Sequence, residues 1–327
     1  MASRDDSKLI SIASGCLNEE GNLQEFYDRV VAVMAHFPRY DYEIIMADNH
    51  STDGSREILR RLAASDRRFK VILNSRDFGP VRSGYNAFLR AAGDAVVLMA
   101  SDLQDPPELI ADFIEKWEEG YPVVIAKRTD SKERGPLAWS RRVYYDLLDR
   151  LSEGEDVIKD FTGFGLYDRS FMDALKLYKD PDPYFRGFVS DIGLKRAEVE
   201  FAQPERKHGR SKHGIFSLYS IAMNGFVNHS MLPLRIATFT GFCLAGLSLL
   251  AALLYLVYKL LFWNTFNAGL APLILGVFFF ASLQLMFLGI LGEYVGAVLV
   301  QVKARPLVIE EEIINFEDPA AATVPEN

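Results

Sequence analysis

The stretch VVLMASDLQDPPE, residues 96–108, decides the fold. Its apolar start predicts a short buried strand, which ends abruptly in acids, an amide and two prolines. Open α/β sheets bind ligands outside the carboxyl ends of their strands. Oxygen donors such as Asp102 and Gln104 suit Mg²⁺ or Mn²⁺, which usually arrives bound to phosphate. The alternative is a solvated turn that caps the next helix, with Pro106 and Pro107 at its start.

The composition bounds the class of protein. The chain has 327 residues, 49% of them hydrophobic, and a net charge of −8. This acidic balance, without an extended basic stripe in the first 200 residues, argues against nucleic acid as a partner. Cys16 and Cys243 are too few for a disulfide framework or a zinc site. Residues 1–8 are polar and charged, which predicts no cleavable signal peptide.

Hydrophobicity is concentrated near the C-terminus. Between residues 236 and 263 the only charge is Lys259, and between residues 270 and 302 the only charge is Glu293. Each stretch exceeds the ~20 apolar residues that cross a ~30 Å hydrocarbon core. The flanking cations are Arg235, Lys303 and Arg305. They predict a transmembrane hairpin with both ends in the cytoplasm. The alternative is a pair of buried helices in a large soluble core.

Strands and helices alternate over the first part of the chain. We predict strands at 9–14, 43–47, 70–73, from 96 and at 123–126, with helices between them. Alternation with short polar connections predicts a mostly parallel, doubly wound sheet. Asp48 and Asp102 each follow a strand, so they share one rim of this sheet. No Gly-x-Gly-x-x-Gly and no P-loop is present, which argues against a dinucleotide dehydrogenase and a P-loop NTPase.

Three segments resemble the ordered motifs of inverting GT-A glycosyltransferases. They are CLNEE at 16–20, DNHSTDG at 48–54 and SDLQDPPE at 101–108. Within that group the chain is most similar to the polyisoprenyl-phosphate glycosyltransferases, which include dolichol-phosphate mannose synthase and the bacterial undecaprenyl-phosphate glucosyltransferases. The similarity reaches the C-terminal hairpin, with GEY at 292–294 and RP at 305–306. It implies an α/β, Rossmann-like GT-A domain with a mostly parallel sheet, followed by a two-helix transmembrane hairpin.

Hydropathy and the resemblance together divide the chain into four parts. These are a cytoplasmic GT-A catalytic domain at 1–210, interfacial amphipathic helices at 211–234, two transmembrane helices at 235–302 and a cytoplasmic tail at 303–327. The amphipathic segment lies on the bilayer or packs on the catalytic domain. The tail is expected to be disordered after Ile309. The expected location is the inner (plasma) membrane, as a multi-pass protein whose catalytic domain faces the cytoplasm.

The resemblance implies a nucleotide-sugar site on the sheet rim. Asp48 is expected to hydrogen-bond the base, and Asp102 with Gln104 to hold Mg²⁺ or Mn²⁺ on the diphosphate. The other residues assigned to the nucleotide sugar are Leu17, Asn18, Glu20, Asp53, Arg76 and Ser101. The family's Asp-x-Asp motif begins here with Ala100, which is expected to weaken metal binding. Its second acid after the second strand is Asn49 here, and an amide still forms hydrogen bonds.

Two downstream segments resemble family elements near the reacting centre. In KDFTGF, residues 159–164, Asp160 is expected near the sugar or the acceptor phosphate; the alternative is a helix or turn cap. In RKHGRSK, residues 206–212, Arg206 and Lys212 suit phosphate oxygens, although the loop also fits a basic patch at the membrane surface. The implied catalytic set is Asp102, Asp160, Arg206 and Lys212. The residues assigned to the acceptor phosphate are Arg128, Arg134 and Ser211.

The predicted reaction moves a hexose, with UDP-glucose as the first candidate donor, to undecaprenyl or another polyprenyl phosphate. It takes place at the cytoplasmic membrane face and inverts the anomeric centre. The second phosphate pKa near 6 makes the acceptor largely a dianion at pH 7, so it needs no strong general base. One alternative is the same reaction with mannose, N-acetylglucosamine or aminoarabinose. The other is a non-catalytic nucleotide-sugar-binding scaffold for a lipid flippase. The hairpin also offers a surface for a homo-oligomer.

Overall fold

The computed structural model describes most of the chain as two units. The described residues are 8–129, 158, 161–178, 180, 183–204, 232–262, 270–303 and 305–316. The sheet unit contains the described residues up to 204 together with 305–316, and the helical unit contains 232–262 and 270–303. The candidate site lies in the sheet unit.

Eight strands form one mixed sheet in the sheet unit. They are β1 (Leu9–Cys16), β2 (Asp41–Asp48), β3 (Phe69–Asn74), β4 (Ala95–Leu98), β5 (Val123–Arg128), β6 (Phe161–Asp168), β7 (Arg196–Phe201) and β8 (Glu310–Ile314). The spatial order is β7-β5-β6-β4-β1-β2-β3-β8. Only β6 and β8 run against their neighbours. The predicted mostly parallel α/β sheet is therefore confirmed, and its first five strands overlap the predicted ones.

Helices cover both faces of this sheet. They are α1 (Leu23–Met34), α2 (Ser55–Ser65), α3 (Pro80–Leu89), α4 (Leu109–Glu118), α5 (Arg169–Leu175) and α6 (Phe185–Ile192). Ile10 and Ile12 of β1 point to the core under α1, α2 and α4, whereas Ala13 points to the core under α3, α5 and α6. Burial on both faces explains why the parallel strands read as continuous apolar runs.

Strand β6 was not predicted from the sequence, because its two glycines suggest a turn. Its antiparallel register pairs Gly165 with Leu98 of β4 and with Ile125 of β5. A Cβ atom at Gly165 would lie only 2.3 Å from the carbonyl oxygen of Val124. The glycine therefore permits a close backbone approach inside the sheet, which is a common reason for glycine in a central strand.

The expectation that the tail is disordered after Ile309 is wrong for residues 310–314. These residues form β8, which pairs antiparallel with β3 at the edge of the sheet. The acidic run EEEII suggested a solvated tail, but its carboxylates are paired with arginine side chains of the sheet unit. Ile314 packs against the core under α1, α2 and α4, and Leu307 and Phe316 pack against the core under α3, α5 and α6. The tail thus covers an otherwise open strand edge.

The helical unit contains two long apolar helices, α7 (Leu232–Leu261) and α8 (Leu270–Lys303), which contact each other. Gly241 of α7 faces Phe287 of α8. Within the described residues, one segment, Gly276–Lys303, is long and apolar enough to cross a membrane; α7 contributes the shorter apolar stretch Ile236–Ser248. Both predicted helices are present, while their connection lies outside the described residues.

Candidate active site

Three loops meet at one rim of the sheet, where β1, β2 and β4 end. The register aligns Cys16, the last residue of β1, with Asp48, the last residue of β2. On the other side of β1, the buried Ser101 hydroxyl donates to the carbonyl oxygen of Gly15 at 3.0 Å. Because β1 lies between β2 and β4, the predicted residues near Asp48 and those near Asp102 come together.

Hydrogen bonds join the loop after β1 to the loop after β2. Asn18 has a positive φ of 58°, and its side-chain oxygen accepts a 2.8 Å hydrogen bond from the Thr52 amide. The Glu20 carboxylate accepts one from the Gly54 amide at 2.7 Å, and the Glu20 amide donates to Asp53 at 3.3 Å. Leu17 is half-buried beside them. These predicted nucleotide-site residues are therefore brought together, and much of their bonding capacity holds the loops in place.

The Asp48 carboxylate is fully enclosed, with an exposed side-chain fraction of 0%. It accepts bonds from the Ser51 amide at 3.1 and 3.2 Å and from Nε of Arg56 at 2.8 Å. Burial, and then the nearby Asp48 charge, raises the pKa of the Cys16 thiol well above its ordinary value. In this arrangement Asp48 organises the β2 loop, and direct contact with a base requires a neighbouring side chain to move.

The Arg56 side chain was missed by sequence reasoning. Besides Asp48, its guanidinium donates to the carbonyl oxygen of Asn74 at 2.6 Å and to Glu311 of β8 at 3.0 Å. Burial lowers the pKa of Arg56, but its bonds to Asp48 and Glu311 outweigh this and leave it raised. Arg56 thus ties together the ends of β2 and β3 and the tail strand, which lies 255 residues away in sequence.

Asn49 takes part in a second network, with the loop after β3. Its amide nitrogen donates to the Asp77 carboxylate, and its amide oxygen accepts from the Phe78 amide at 2.9 Å. The same Asp77 oxygen accepts from the Gly79 amide at 2.8 Å. Arg76, a predicted nucleotide ligand, is exposed and stacks on the Phe78 ring at 3.9 Å. The amide of Asn49 can both donate to Asp77 and accept from the Phe78 backbone amide, whereas an ionised carboxylate at position 49 could only accept.

The turn after β4 carries Asp102. Leu103 has a positive φ of 61°, and the Gln104 backbone amide donates a hydrogen bond to the Asp102 carboxylate at 3.1 Å. The buried Asp105 carboxylate closes the turn by accepting a 2.9 Å bond from the Ala100 amide. Burial raises the pKa of Asp105 to about 7, and the nearby charge of Arg128, at the end of β5, partly offsets this rise. Both the acidic turn and the helix expected after it, α4, are present.

The donor set at this turn fits a metal ion only if that ion also has ligands from the substrate. The Asp102 and Gln104 side chains are half-exposed, and Ala100 offers a methyl group where the family motif has a carboxylate. In the part of the chain that the structure describes, no three His, Cys, Asp or Glu side chains are grouped as metal ligands. Mg²⁺ is commonly held by one or two carboxylates together with substrate phosphates. The residues present fit that mode.

Five predicted site residues lie outside the described residues. They are Arg134, Asp160, Arg206, Ser211 and Lys212. The strand that follows Asp160 in sequence, β6, starts at the same rim, because its antiparallel register places Gly165 opposite Leu98 and the earlier residues beyond the end of β4.

Comparisons with known proteins agree on one family. A sequence profile described as Glycosyl transferase family 2 matches residues 11–175. The uncharacterized glycosyltransferase YkcC of Bacillus subtilis is 35% identical over 311 residues, covering 94% of this chain and 95% of the relative. The SfII prophage-derived bactoprenol glucosyl transferase of Shigella flexneri is 31% identical over 297 residues, with coverages of 91% and 96%.

Solved structures resemble the chain less closely. Glucosyl-3-phosphoglycerate synthase from Mycobacterium tuberculosis, crystallised with Mn²⁺, UDP and glucosyl-3-phosphoglycerate, is 19% identical. The match covers 67% of this chain and 78% of that one, with a TM-score of 0.43.

Proposed function

Because the chain belongs to glycosyl transferase family 2, we propose that it transfers a hexose from a nucleotide sugar to a polyprenyl phosphate at the cytoplasmic face of a membrane. The observation that carries this proposal is the meeting of the Asp102 turn with the loops after β1 and β2 at one sheet rim. UDP-glucose and undecaprenyl phosphate are the first candidate substrates. The similarity to a protein named bactoprenol glucosyl transferase supports transfer of a glucosyl group to a polyprenyl acceptor.

The residues at the rim have separate proposed roles. Asp102 and Gln104 hold Mg²⁺ or Mn²⁺, which supplies positive charge to the leaving diphosphate when bound. Asp48 keeps the β2 loop in position for the nucleoside. Leu17, Asn18, Glu20, Asp53, Arg76 and Ser101 complete the proposed nucleotide-sugar set. Preorganised groups of this kind stabilise developing charge without reorganisation during the reaction.

The acceptor supplies its own nucleophile. A phosphomonoester oxygen attacks the anomeric carbon, the bond from that carbon to the diphosphate oxygen breaks, and the nucleoside diphosphate leaves. Displacement in one step inverts the anomeric centre. Since the acceptor is largely a dianion at pH 7, the main requirement is to bring two anionic groups together. We assign this to Arg206 and Lys212, with help from Arg128, Arg134 and Ser211, and we place Asp160 beside the sugar.

The lipid acceptor fits a chain anchored in the membrane. Large apolar side chains on α7 and α8 are exposed in the helical unit, among them Phe239, Phe242, Leu285 and Val302. Exposed apolar surface of this extent is typical of membrane or protein contact. We propose that α7 and α8 both span the inner (plasma) membrane as a hairpin, with the sheet unit in the cytoplasm.

Ala100 favours a second candidate function. Its methyl group leaves the Asp102 turn with fewer carboxylates than the family motif, as expected for a subunit that binds nucleotide sugar without catalysis. Such a subunit would act as a scaffold for a lipid flippase. A third reading keeps the reaction and changes the donor to a mannose, N-acetylglucosamine or aminoarabinose nucleotide.

A donor screen separates these candidates. The purified full-length protein is placed in vesicles that contain undecaprenyl phosphate, with Mn²⁺ and one radiolabelled donor at a time: UDP-glucose, UDP-N-acetylglucosamine, GDP-mannose or an aminoarabinose nucleotide. We expect label in the lipid fraction with UDP-glucose, and none for Asp102→Ala. Transfer from another donor alone would change the assigned sugar. Nucleotide binding without transfer from any donor would favour the scaffold.

A further inference from the structure

Three consecutive glutamates of β8 reach three arginines of the sheet unit. Glu310 pairs with Arg90 at 2.7 Å, Glu311 pairs with Arg56 at 3.0 Å, and Glu312 pairs with Arg60 at 2.6 Å. Ion pairs at a sheet edge usually contribute little stability when they are exposed. The three pairs differ, however, in what lies behind each arginine.

The Glu311–Arg56 pair leads to the candidate nucleotide site. Arg56 contacts the enclosed Asp48 carboxylate and the carbonyl oxygen of Asn74. Within the described part of the chain, Arg60 hydrogen-bonds Glu312 and makes no hydrogen bond to the β2 loop. Glu311 and Glu312 have similar exposed side-chain fractions, 52% and 42%. The two glutamates are therefore similar in exposure, whereas Arg56 is more buried than Arg60, with exposed side-chain fractions of 18% and 47%. The two pairs also differ in their link to Asp48.

The tail strand is fixed in position by contacts that do not involve these glutamates. The Asn315 side-chain amide donates to the carbonyl oxygens of Ala63 at 2.7 Å and Phe69 at 2.9 Å. The Ser75 amide donates to the carbonyl oxygen of Ile309 at 2.9 Å. Because these bonds hold β8 against α2 and β3, Glu311 presents its carboxylate to Arg56 from a rigid element.

We propose that β8 is a working part of the donor site and that Glu311 and Arg56 are positioning residues for the nucleotide. This inference rests on the proposed function and adds the C-terminal tail to it. The Asp48 carboxylate is buried, and the Arg56 guanidinium is its counter-ion, with Nε at 2.8 Å from the carboxylate. Glu311 keeps the guanidinium over Asp48. Asp48 in turn accepts a hydrogen bond from the Ser51 backbone amide, and the Ser51 hydroxyl accepts one from the Asn18 backbone amide at 2.9 Å. A displaced Arg56 therefore loosens the loops at the rim.

Charge reversal tests this chain of contacts. Glu311→Lys places a cation beside Arg56, and Glu312→Lys does the same beside Arg60. We expect Glu311→Lys to weaken UDP binding and raise the donor KM about tenfold, which corresponds to about 1.4 kcal/mol. We expect kcat to change by less than about twofold, because neither glutamate touches the reacting atoms. Glu312→Lys should leave both constants near wild type.

Two further variants guard against a folding artefact. Glu311→Gln removes the charge with little change in shape, and Glu311→Asp keeps the charge. Glu311→Gln should weaken UDP binding in part, and Glu311→Asp should bind UDP nearly as well as wild type. Thermal unfolding of Glu311→Lys and Glu312→Lys should agree within a few degrees. UDP titration calorimetry and the donor KM are measured on the full-length protein in lipid.

The outcomes are distinct. Selective loss of UDP affinity in the Glu311 variants supports the inference. If wild type binds UDP and transfers sugar but Glu311→Lys and Glu312→Lys have equal effects, the inference about β8 is overturned and the proposed function stands. A wild-type protein that binds no sugar nucleotide overturns the proposed function, and the role of β8 with it.

Discussion

Exchanging the amide and the carboxylate between positions 49 and 77 tests the loop network at the rim. Asn49 donates to Asp77 and accepts from the Phe78 amide. In Asn49→Asp the accepted bond survives, because a carboxylate oxygen accepts as well as an amide oxygen. The donated bond is lost, and two carboxylates then face each other across the same short distance.

The size of this effect follows from the geometry. Two unit charges about 4 Å apart repel by about 4 kcal/mol at an effective dielectric constant of about 20. Asp77 is exposed, so water screens part of that repulsion, whereas Asn49 is buried. A lost hydrogen bond to a charged group costs roughly 1.5–3 kcal/mol. We expect a total loss of about 2–4 kcal/mol at about pH 8, which shrinks at lower pH as one carboxyl takes up a proton.

The assay compares three variants by thermal unfolding and by UDP titration. Asn49→Asp should be the weakest, and Asp77→Asn should lose little, because two amides still pair. The double variant Asn49→Asp/Asp77→Asn should recover part of the loss. There the amide nitrogen introduced at position 77 donates to the carboxylate introduced at position 49, but it takes the place of the oxygen that accepts from the Gly79 backbone amide, so that bond is given up. A double variant no better than Asn49→Asp alone would refute the pairing argument.

Three further predictions concern the sheet and the Asp102 turn. Burial raises the pKa of Asp105 from 3.8 to about 7, so the folded state binds the Asp105 proton more tightly than the unfolded state does. The free energy of unfolding therefore falls as the pH rises between these two pKa values. The shift corresponds to about 4 kcal/mol at 1.36 kcal/mol per pH unit, lost between about pH 4 and about pH 7. Asp105→Asn should remove this dependence; curves of thermal stability in detergent that run parallel to wild type between about pH 4 and about pH 8 would contradict it. Gly165→Ala should destabilise the protein by more than about 3 kcal/mol because its Cβ would lie 2.3 Å from a backbone oxygen; a melting temperature equal to wild type would oppose the close approach. Asp102→Ala should abolish transfer, whereas Lys212→Ala should mainly raise the acceptor KM; unchanged rates in both would reject these roles.

The strands with regular apolar patterns could be predicted from the sequence. β1, β2, β3 and β5 are buried on both faces along most of their length, so each contains a short, largely apolar run, with buried polar residues such as Ser11 and Glu43 beside it. The strand–helix alternation then set their common direction. The same alternation put Asp48 and Asp102 on one rim, where the structure has them.

β6, β7 and β8 were not predicted, and two of them, β6 and β8, have compositions that local patterns assign to other structures. Glycines in β6 suggest a turn, although Gly165 serves a close approach to β5. The acids of β8 suggest a solvated tail, although each carboxylate meets an arginine from a distant part of the chain. Pairing between distant residues leaves no periodic signal in the sequence near either partner.

The site was predicted in part. The loop residues Asn18, Glu20 and Asp53 do gather beside the end of β2. Arg56 could not be identified, because nothing local shows that it reaches Asp48 and Glu311 together. The expectation that Asn49 still forms hydrogen bonds is confirmed, but its partner Asp77 was not identified from the sequence.

A structure of the full-length protein with UDP and Mn²⁺ tests the central claim most directly. We predict density for the diphosphate at the Asp102 turn, with the metal within about 2.2 Å of an Asp102 carboxylate oxygen. The uridine should lie against the loops after β1 and β2. A nucleotide bound away from this rim, or a metal without contact to Asp102, would contradict the account.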